Sequence, residues 1–365
     1  MVLPDDRGDR MTGPIATFEQ FRDAVSAYRL PRVLLAALEL DLFTAVGTQR
    51  WTIAALAKKM QVSERGLSIL CRNLAMAGVL RKAGKRYANS RLGATSLNAR
   101  HPAYRGAYLD MMKNHWSDWS RLPESVRSGM PIDHDVPDSP DYRRRFTWAM
   151  HDRTLETAPA IAAQLNLRRA KTLLDLGGGP GTYALAFLEH NPALQATVCD
   201  RQAALEVAQE IAATHRARRR LSYLPLDFSA EAIPGTYDII WYSNVLHIYS
   251  PGGNQAIFQR ALAALNPGGR LIIQDAFLHD REGLFPEDAS LFAVSMLLFT
   301  VSGNTYTVTD TTRWLKAAGF ARVMLRKMKK GREDWEDGIL EAVAPLERSE
   351  RPARRTRLTK SSRVR

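Results

Sequence analysis

The sequence predicts an α/β protein: a doubly wound, mostly parallel sheet of seven strands, preceded by a smaller all-helical or winged-helix domain. Three observations carry this. From residue 171 onward, apolar runs of strand length alternate with stretches of helical periodicity. The first of those runs turns straight into glycine, TLLDLGGGPG, leaving a loop bare of side chains before the next helix. Upstream, residues 15–100 contain helix caps and a hairpin but no strand–helix alternation.

The elements follow in order. Residues 1–14 read as a flexible leader, and residues 18–46 as one or two amphipathic helices. In WTIAALAKKMQVSERGLSILCRNLAMAGVLRKAGKRYANS, Thr52 and Ser63 are candidate N-caps of two short helices. Residues 79–88 then form two short strands around Lys82-Ala83-Gly84-Lys85, which completes a winged-helix pattern. Its second helix, 64–77, carries Arg65 and Arg72 as its basic side chains beside Leu67, Leu70, Cys71, Leu74 and Met76. Such a helix suits a protein surface better than a major groove. Residues 101–160 are expected to be a helical connector rich in large side chains, with a loop at 131–140. Strands are expected at 172–175, 196–200, 222–226, 237–243 and 270–274, with a helix in each gap. Two more, 321–328 and 338–343, have a short link, so they form a hairpin and one strand runs antiparallel. The α/β domain covers 161–345, and a basic tail, 346–365, is expected to be disordered.

Composition narrows the function. With 365 residues, 45% hydrophobic and 24% charged, the chain has room for two ordinary globular cores. The net charge of +13 invites nucleic acid as a partner. Yet residues 347–365 hold eight Lys or Arg against two Glu, so much of the excess sits in the tail and the remainder is only mildly basic. Cys71 and Cys199 fit no metal or redox spacing, which points to a reducing compartment and no metal. Asp5, Asp6 and Asp9 break any signal peptide, and Glu39 and Asp41 interrupt VLLAALELDLF. A cytoplasmic protein without a membrane span is expected.

The glycine loop is not a dinucleotide fingerprint, because counting from Gly177 or Gly179 puts Thr182 or Ala184 at the third glycine position. A Walker loop is excluded too, since no Lys-Ser or Lys-Thr follows. The pattern present is D-x-G-x-G-x-G, made by Asp175, Gly177, Gly179 and Gly181, with Asp200 nineteen positions after Gly181 at the end of the next strand. This pattern resembles the S-adenosylmethionine site of class I methyltransferases. The resemblance implies that Asp200 accepts from both ribose hydroxyls and that the loop admits the methionine part. Asp227 and Phe228 then match the adenine-binding pair, and Ser243 joins the cofactor-binding set.

In YDIIWYSNVLHIYSP, the stretch Ser243-Asn244-Val245-Leu246 lacks the two prolines typical of methyltransferases acting on nucleobase or amide nitrogen. His247 follows instead. Together with the winged helix, DLGGGPG, NVLH, NPGGRLIIQD and WLKAAGF, it makes residues 18–343 similar to small-molecule O-methyltransferases of the caffeate and hydroxyindole type and their bacterial relatives. The resemblance implies a Rossmann-like methyltransferase sheet, a homodimer through the N-terminal domain, and a small, flat aromatic acceptor. It implies His247 as general base. A phenol with pKa of about 10 is barely ionised at neutral pH, so a positioned base has work to do. The first of the family's two flanking glutamates falls on Asp275; the second falls on Thr305, where the acid is missing. Substrate-facing positions fall on Met150 in FTWAMHD and Met296 in AVSMLLF, to which Phe146, Trp116, Phe292 and Phe299 are added as aromatic neighbours. A C-methyltransferase of the same fold, a cofactor-sensing DNA-binding regulator and an RNA methyltransferase are the competing readings.

Overall fold

The computed structural model describes residues 14–132, 139–279, 282–326 and 338–346. The leader through residue 13, positions 133–138 of the expected loop, positions 327–328 of the sixth expected strand and the tail from 347 lie outside the described residues. By its contacts the chain divides into two units, residues 1–118 and 119–365.

In the first unit, α1 (Phe18–Ser26), α2 (Arg29–Glu39) and α3 (Leu42–Val46) replace the one or two helices expected there. Asp41, in the left-handed region at φ +48°, separates α2 from α3. After β1 (Trp51–Thr52), the helices α4 (Ile53–Met60) and α5 (Glu64–Met76) start where Thr52 accepts from the Ala55 N–H and Ser63 from the Gly66 N–H. The hairpin β2 (Leu80–Ala83) and β3 (Arg86–Asn89) adds β1 on its far edge, giving the order β1-β3-β2. Leu42, Phe43, Leu56, Leu67, Cys71 and Leu74 form the core of this unit. Then come α6 (Arg91–Ala94) and α7 (Gly106–Ser120). The unit boundary falls within α7, so the stretch 101–160 is shared between the units.

The second unit opens with α8 (Leu122–Ser128), α9 (Pro140–Thr154) and α10 (Thr157–Gln164). Alternation follows: β4 (Thr172–Leu176), α11 (Thr182–His190), β5 (Gln195–Asp200), α12 (Gln202–Ala212), β6 (Leu221–Pro225), β7 (Tyr237–Ser243), α13 (Pro251–Ala263) and β8 (Leu265–Gln274). The chain ends in β9 (Phe277–Leu278), α14 (Glu287–Phe299), β10 (Tyr306–Thr307), α15 (Val308–Ala318), β11 (Arg322–Arg326) and β12 (Ile339–Val343). Among the described residues seven strands form the main sheet, in the order β11-β12-β8-β7-β4-β5-β6. β12 inserts antiparallel between β11 and β8, while β8, β7, β4, β5 and β6 pair in parallel. Its central strands are apolar on both faces: Leu174, Ile240 and Ile273 pack on one side, Leu173, Trp241 and Ile272 on the other.

Two expectations need correction. The helix expected between the third and fourth strands does not form; residues 226–236 are turns and coil. There Asp227 bends the chain by accepting from its own Ser229 N–H, and Pro234 with Gly235 at φ +79° bars a regular helix. The fifth strand starts earlier than expected, at Leu265, despite Pro267 and two glycines. A register shift between Tyr237 and Ile239 absorbs them. Among the described residues no helix is long and apolar enough to cross a membrane.

Candidate active site

The glycine loop leaves the carboxyl end of β4 at the middle of the sheet, where doubly wound folds form crevices. Asp200, at the end of the adjacent strand β5, organises it: its Oδ2 accepts from the Gly179 N–H at 2.8 Å and its Oδ1 from the Arg201 N–H at 2.7 Å. Burial pushes the Asp200 carboxyl above the usual range, opposed by those two N–H groups. The loop runs through left-handed backbone at Gly177 (φ +71°) and Gly179 (φ +49°). The two differ in what surrounds them. A Cβ on Gly177 would strike Val245 Cγ2 at 2.8 Å, whereas the nearest group to a Cβ on Gly179 is Asp200 Oδ2 at 4.0 Å. Gly177 is therefore needed for close packing, and Gly179 lines open space. Gly181, at φ +68°, is the N-cap of α11.

Beneath the loop lies Asp175, 2% exposed, with Oδ2 lacking a hydrogen-bond partner. Burial raises its pKa to about 7, against the Ala184 N–H that favours the anion and with the Asp200 charge adding to the rise. The unfolded carboxyl loses its proton near its ordinary value while the folded one keeps it to about 7. Stability therefore falls as pH rises through that window and levels off above it. Asp175→Asn is expected to raise the melting temperature of the cofactor-free protein more at about pH 8 than at about pH 5. Equal gains at both would show that this buried acid is not the cause.

Asp227 and Phe228 follow β6. Asp227 is partly exposed, and its Oδ1 accepts from the Ser229 hydroxyl and N–H, the hydroxyl bond being the main cause of its lowered pKa. Phe228 is 6% exposed, its ring edge-on to Tyr249 at 6.1 Å. Ser243 ends β7, where its hydroxyl donates to Gln274 Oε1 at 2.9 Å.

His247 sits in the turn after β7, 7% exposed. Its Nδ1 lies 2.8 Å from Asp275 Oδ1, which also accepts from the Ala276 N–H at 2.8 Å. An ionised carboxylate can only accept, so Nδ1 carries a proton, and in the neutral imidazole Nε2 then keeps its lone pair. Phe292 meets the imidazole edge-to-face, centroids 4.8 Å apart. Asp275 Oδ2 and Thr305 Oγ1 are both buried without a hydrogen-bond partner. The arrangement is a histidine oriented by one acid, at the same sheet edge as an open glycine cradle flanked by carboxylates. Among the described residues, no group of three or more His, Cys, Asp or Glu could hold a metal ion.

Residues 123–321 match the O-methyltransferase domain family. The chain belongs to that family. Residues 23–99 of the enzyme match the O-methyltransferase dimerisation domain. The enzyme is 29% identical over 301 residues to a 3-hydroxy-5-methyl-1-naphthoate 3-O-methyltransferase of Streptomyces sahachiroi, covering 80% of this chain and 86% of the relative. It is 28% identical over 317 residues to a mitomycin biosynthesis 6-O-methyltransferase of Streptomyces lavendulae, covering 83% and 89%. Human N-acetylserotonin methyltransferase, solved in complex with S-adenosylmethionine, shares the fold with a TM-score of 0.77 at 20% identity, over 92% of this chain and 100% of that one.

The expected acceptor-facing residues of the enzyme are spread over three helices. Phe292, Met296 and Phe299 lie on α14, with Met296 buried and the two rings partly so. Met150 and Phe146 lie on α9, where Phe146 is 41% exposed and stacks on Tyr142 at 6.1 Å. Trp116 belongs to the first unit, its ring 6.5 Å from that of Tyr28 and under the Arg32 guanidinium. Two polar groups escaped the sequence reading. His151 Nδ1 lies 2.8 Å from Thr182 Oγ1 at the start of α11. Asn254 shares the buried stripe of α13 with Ile257, Phe258 and Ala261. A polar residue at helical spacing among apolar ones is a legible signal, because a buried amide must find partners.

Proposed function

We propose that the enzyme transfers a methyl group from S-adenosylmethionine to a hydroxyl of a small aromatic acceptor, with His247 as the general base. The observation that carries this is the 2.8 Å contact between His247 Nδ1 and Asp275 Oδ1, which leaves Nε2 as proton acceptor. The relatives, named for a naphthoate and for mitomycin biosynthesis, support an aromatic acceptor. The open cradle over Gly179, the orphaned Asp175 Oδ2 and the Asp200 carboxylate on the Gly179 N–H fit the cofactor. When bound, S-adenosylmethionine supplies an electrophilic methyl on a sulfonium. The loop of Gly177, Gly179 and Gly181 would receive its methionine part, Asp200 the ribose hydroxyls, and Asp227 with Phe228 the adenine, with Ser243 closing the site. His247 would take the acceptor's proton at Nε2 while Asp275 steadies the imidazolium at Nδ1. Met150, Met296, Phe146, Phe292 and Phe299 would hold the acceptor ring so that its hydroxyl is aligned for transfer.

The test is a panel of hydroxylated aromatics with methyl-labelled S-adenosylmethionine, followed by NMR location of the new methyl. An O–CH3 product is expected. A methyl found on carbon would overturn the O-transfer reading. Asp200→Ala should weaken cofactor binding by about 1–3 kcal/mol in calorimetry, because ribose hydroxyls lose a charged acceptor. Wild-type affinity would remove Asp200 from the ribose.

The dimerisation match supports a homodimer. Phe18, Phe21, Val25 and Tyr28 form one stripe on and just beyond α1, between 53% and 80% exposed in the single chain. Light scattering should return twice the chain mass, and Phe18→Glu with Phe21→Glu should return the monomer. A wild-type monomer at micromolar concentration would refute the dimer.

A further inference from the structure

We propose that Asn254 is a positioning residue for His247, clamping through its carboxamide the turn that carries the imidazole. The inference rests on the general-base reading of His247. Asn254 Nδ2 donates to the carbonyls of Leu246 and Tyr249, each at 2.9 Å, and reaches that of Ser250 at 3.3 Å. These carbonyls bracket His247 from both sides. The amide nitrogen has two protons, so the two short bonds use both and the third contact is shared.

The orientation of the amide is itself held. Asn254 Oδ1 accepts from the Tyr242 hydroxyl at 3.2 Å, and both residues are 0% exposed. Burial pushes the Tyr242 phenol well above its ordinary pKa, so the hydroxyl keeps its proton and donates. With Oδ1 committed to that donor, the two N–H groups must face the turn. Tyr242 belongs to β7, the strand in the middle of the sheet. A chain of contacts thus runs from sheet to Tyr242, to Asn254, to the turn of His247.

The turn needs this support because it makes few bonds of its own. It leaves β7 through Asn244 in the left-handed region (φ +55°), and within it the Ile248 N–H donates to the Val245 carbonyl at 3.0 Å. Two further donors come from the segment after α14: the Asn304 N–H binds the His247 carbonyl at 2.9 Å, and the Tyr306 hydroxyl binds the Tyr249 carbonyl at 2.6 Å. Asp275 orients the ring at Nδ1 but makes no bond to the main chain of the turn. Alongside the Asn304 and Tyr306 bonds, Asn254 ties the carbonyls on either side of the histidine to the sheet through Tyr242. A base misplaced by about 1 Å can lose roughly a hundredfold in rate, so a clamp on the main chain acts on turnover rather than on binding.

The test uses the full-length enzyme and the aromatic hydroxyl compound that the wild type turns over fastest in the labelled panel. Asn254→Leu keeps the approximate size of the side chain and removes every side-chain hydrogen bond, leaving the backbone bond to the Ser250 carbonyl. It is expected to lose about tenfold to a hundredfold in kcat, with KM for the acceptor and the calorimetric Kd for S-adenosylmethionine within about twofold of wild type. In a His247→Ala background the same change should cost nothing more, because there is no base left to misplace. A kcat within about twofold of wild type, or an equal loss in both backgrounds, would overturn the proposal. If His247→Ala alone keeps wild-type turnover, the base reading has failed and this inference falls with it. Where Asn254→Leu yields no folded protein, Tyr242→Phe serves instead. It frees only the amide's orientation and should cost roughly three- to tenfold in kcat at unchanged KM. Unchanged kcat there would also overturn the clamp.

Discussion

His247→Ala is expected to bind S-adenosylmethionine as the wild type does and to lose about a hundred- to ten-thousand-fold in kcat. The cofactor contacts proposed above involve the glycine loop, Asp200 and Asp227, none of which the substitution touches. The proton transfer is needed only in the transition state, so the loss should appear in kcat and kcat/KM together. Asp275→Asn should lose less. Asp275 Oδ1 also accepts from the Ala276 N–H, which would hold the oxygen of an asparagine amide in the same place. The imidazole would keep its tautomer and lose only the charge that stabilises the imidazolium. Turnover of His247→Ala within a few-fold of wild type would end the base assignment while leaving the methyltransferase reading intact.

Gly179→Leu is expected to abolish cofactor binding in calorimetry while leaving a folded protein. A Cβ at this position meets nothing closer than Asp200 Oδ2 at 4.0 Å, so the side chain grows into the open cradle rather than into the core. The left-handed backbone at φ +49° adds a cost of about 1–2 kcal/mol to folding, which shifts melting only modestly. Gly177→Leu is the contrasting case. Its Cβ would strike Val245 at 2.8 Å and approach Phe228 at 3.3 Å, both core residues, so its main effect should be on melting temperature. If Gly179→Leu bound the cofactor as the wild type does, the cradle would not be the methionine site.

Sequence alone determined what neighbouring residues decide among themselves. Thr52 and Ser63 cap their helices because a side-chain oxygen a few residues from an orphan N–H finds it whatever the rest of the chain does. The apolar runs at β4, β5 and β7, and the glycine loop between β4 and α11, were legible for the same reason: period, length and the need for positive φ are local. Asp200 was also within reach, since its spacing from the loop follows from one helix and one strand. Tertiary structure decided what is paired across the sheet. That β12 inserts between β11 and β8 depends on which edge of the sheet remains open. His247 and Asp275 are 28 positions apart and meet because β7 and β8 are neighbours, so their ends come together. Asn254 reads in the sequence as one polar residue on an apolar helix face; its partners, Tyr242 and the carbonyls around His247, are named only once α13 has packed on the sheet. The reason is physical. Caps, turns and amphipathic faces are satisfied within a few residues, whereas a buried carboxylate, imidazole or amide takes its partner from whatever the sheet order brings beside it.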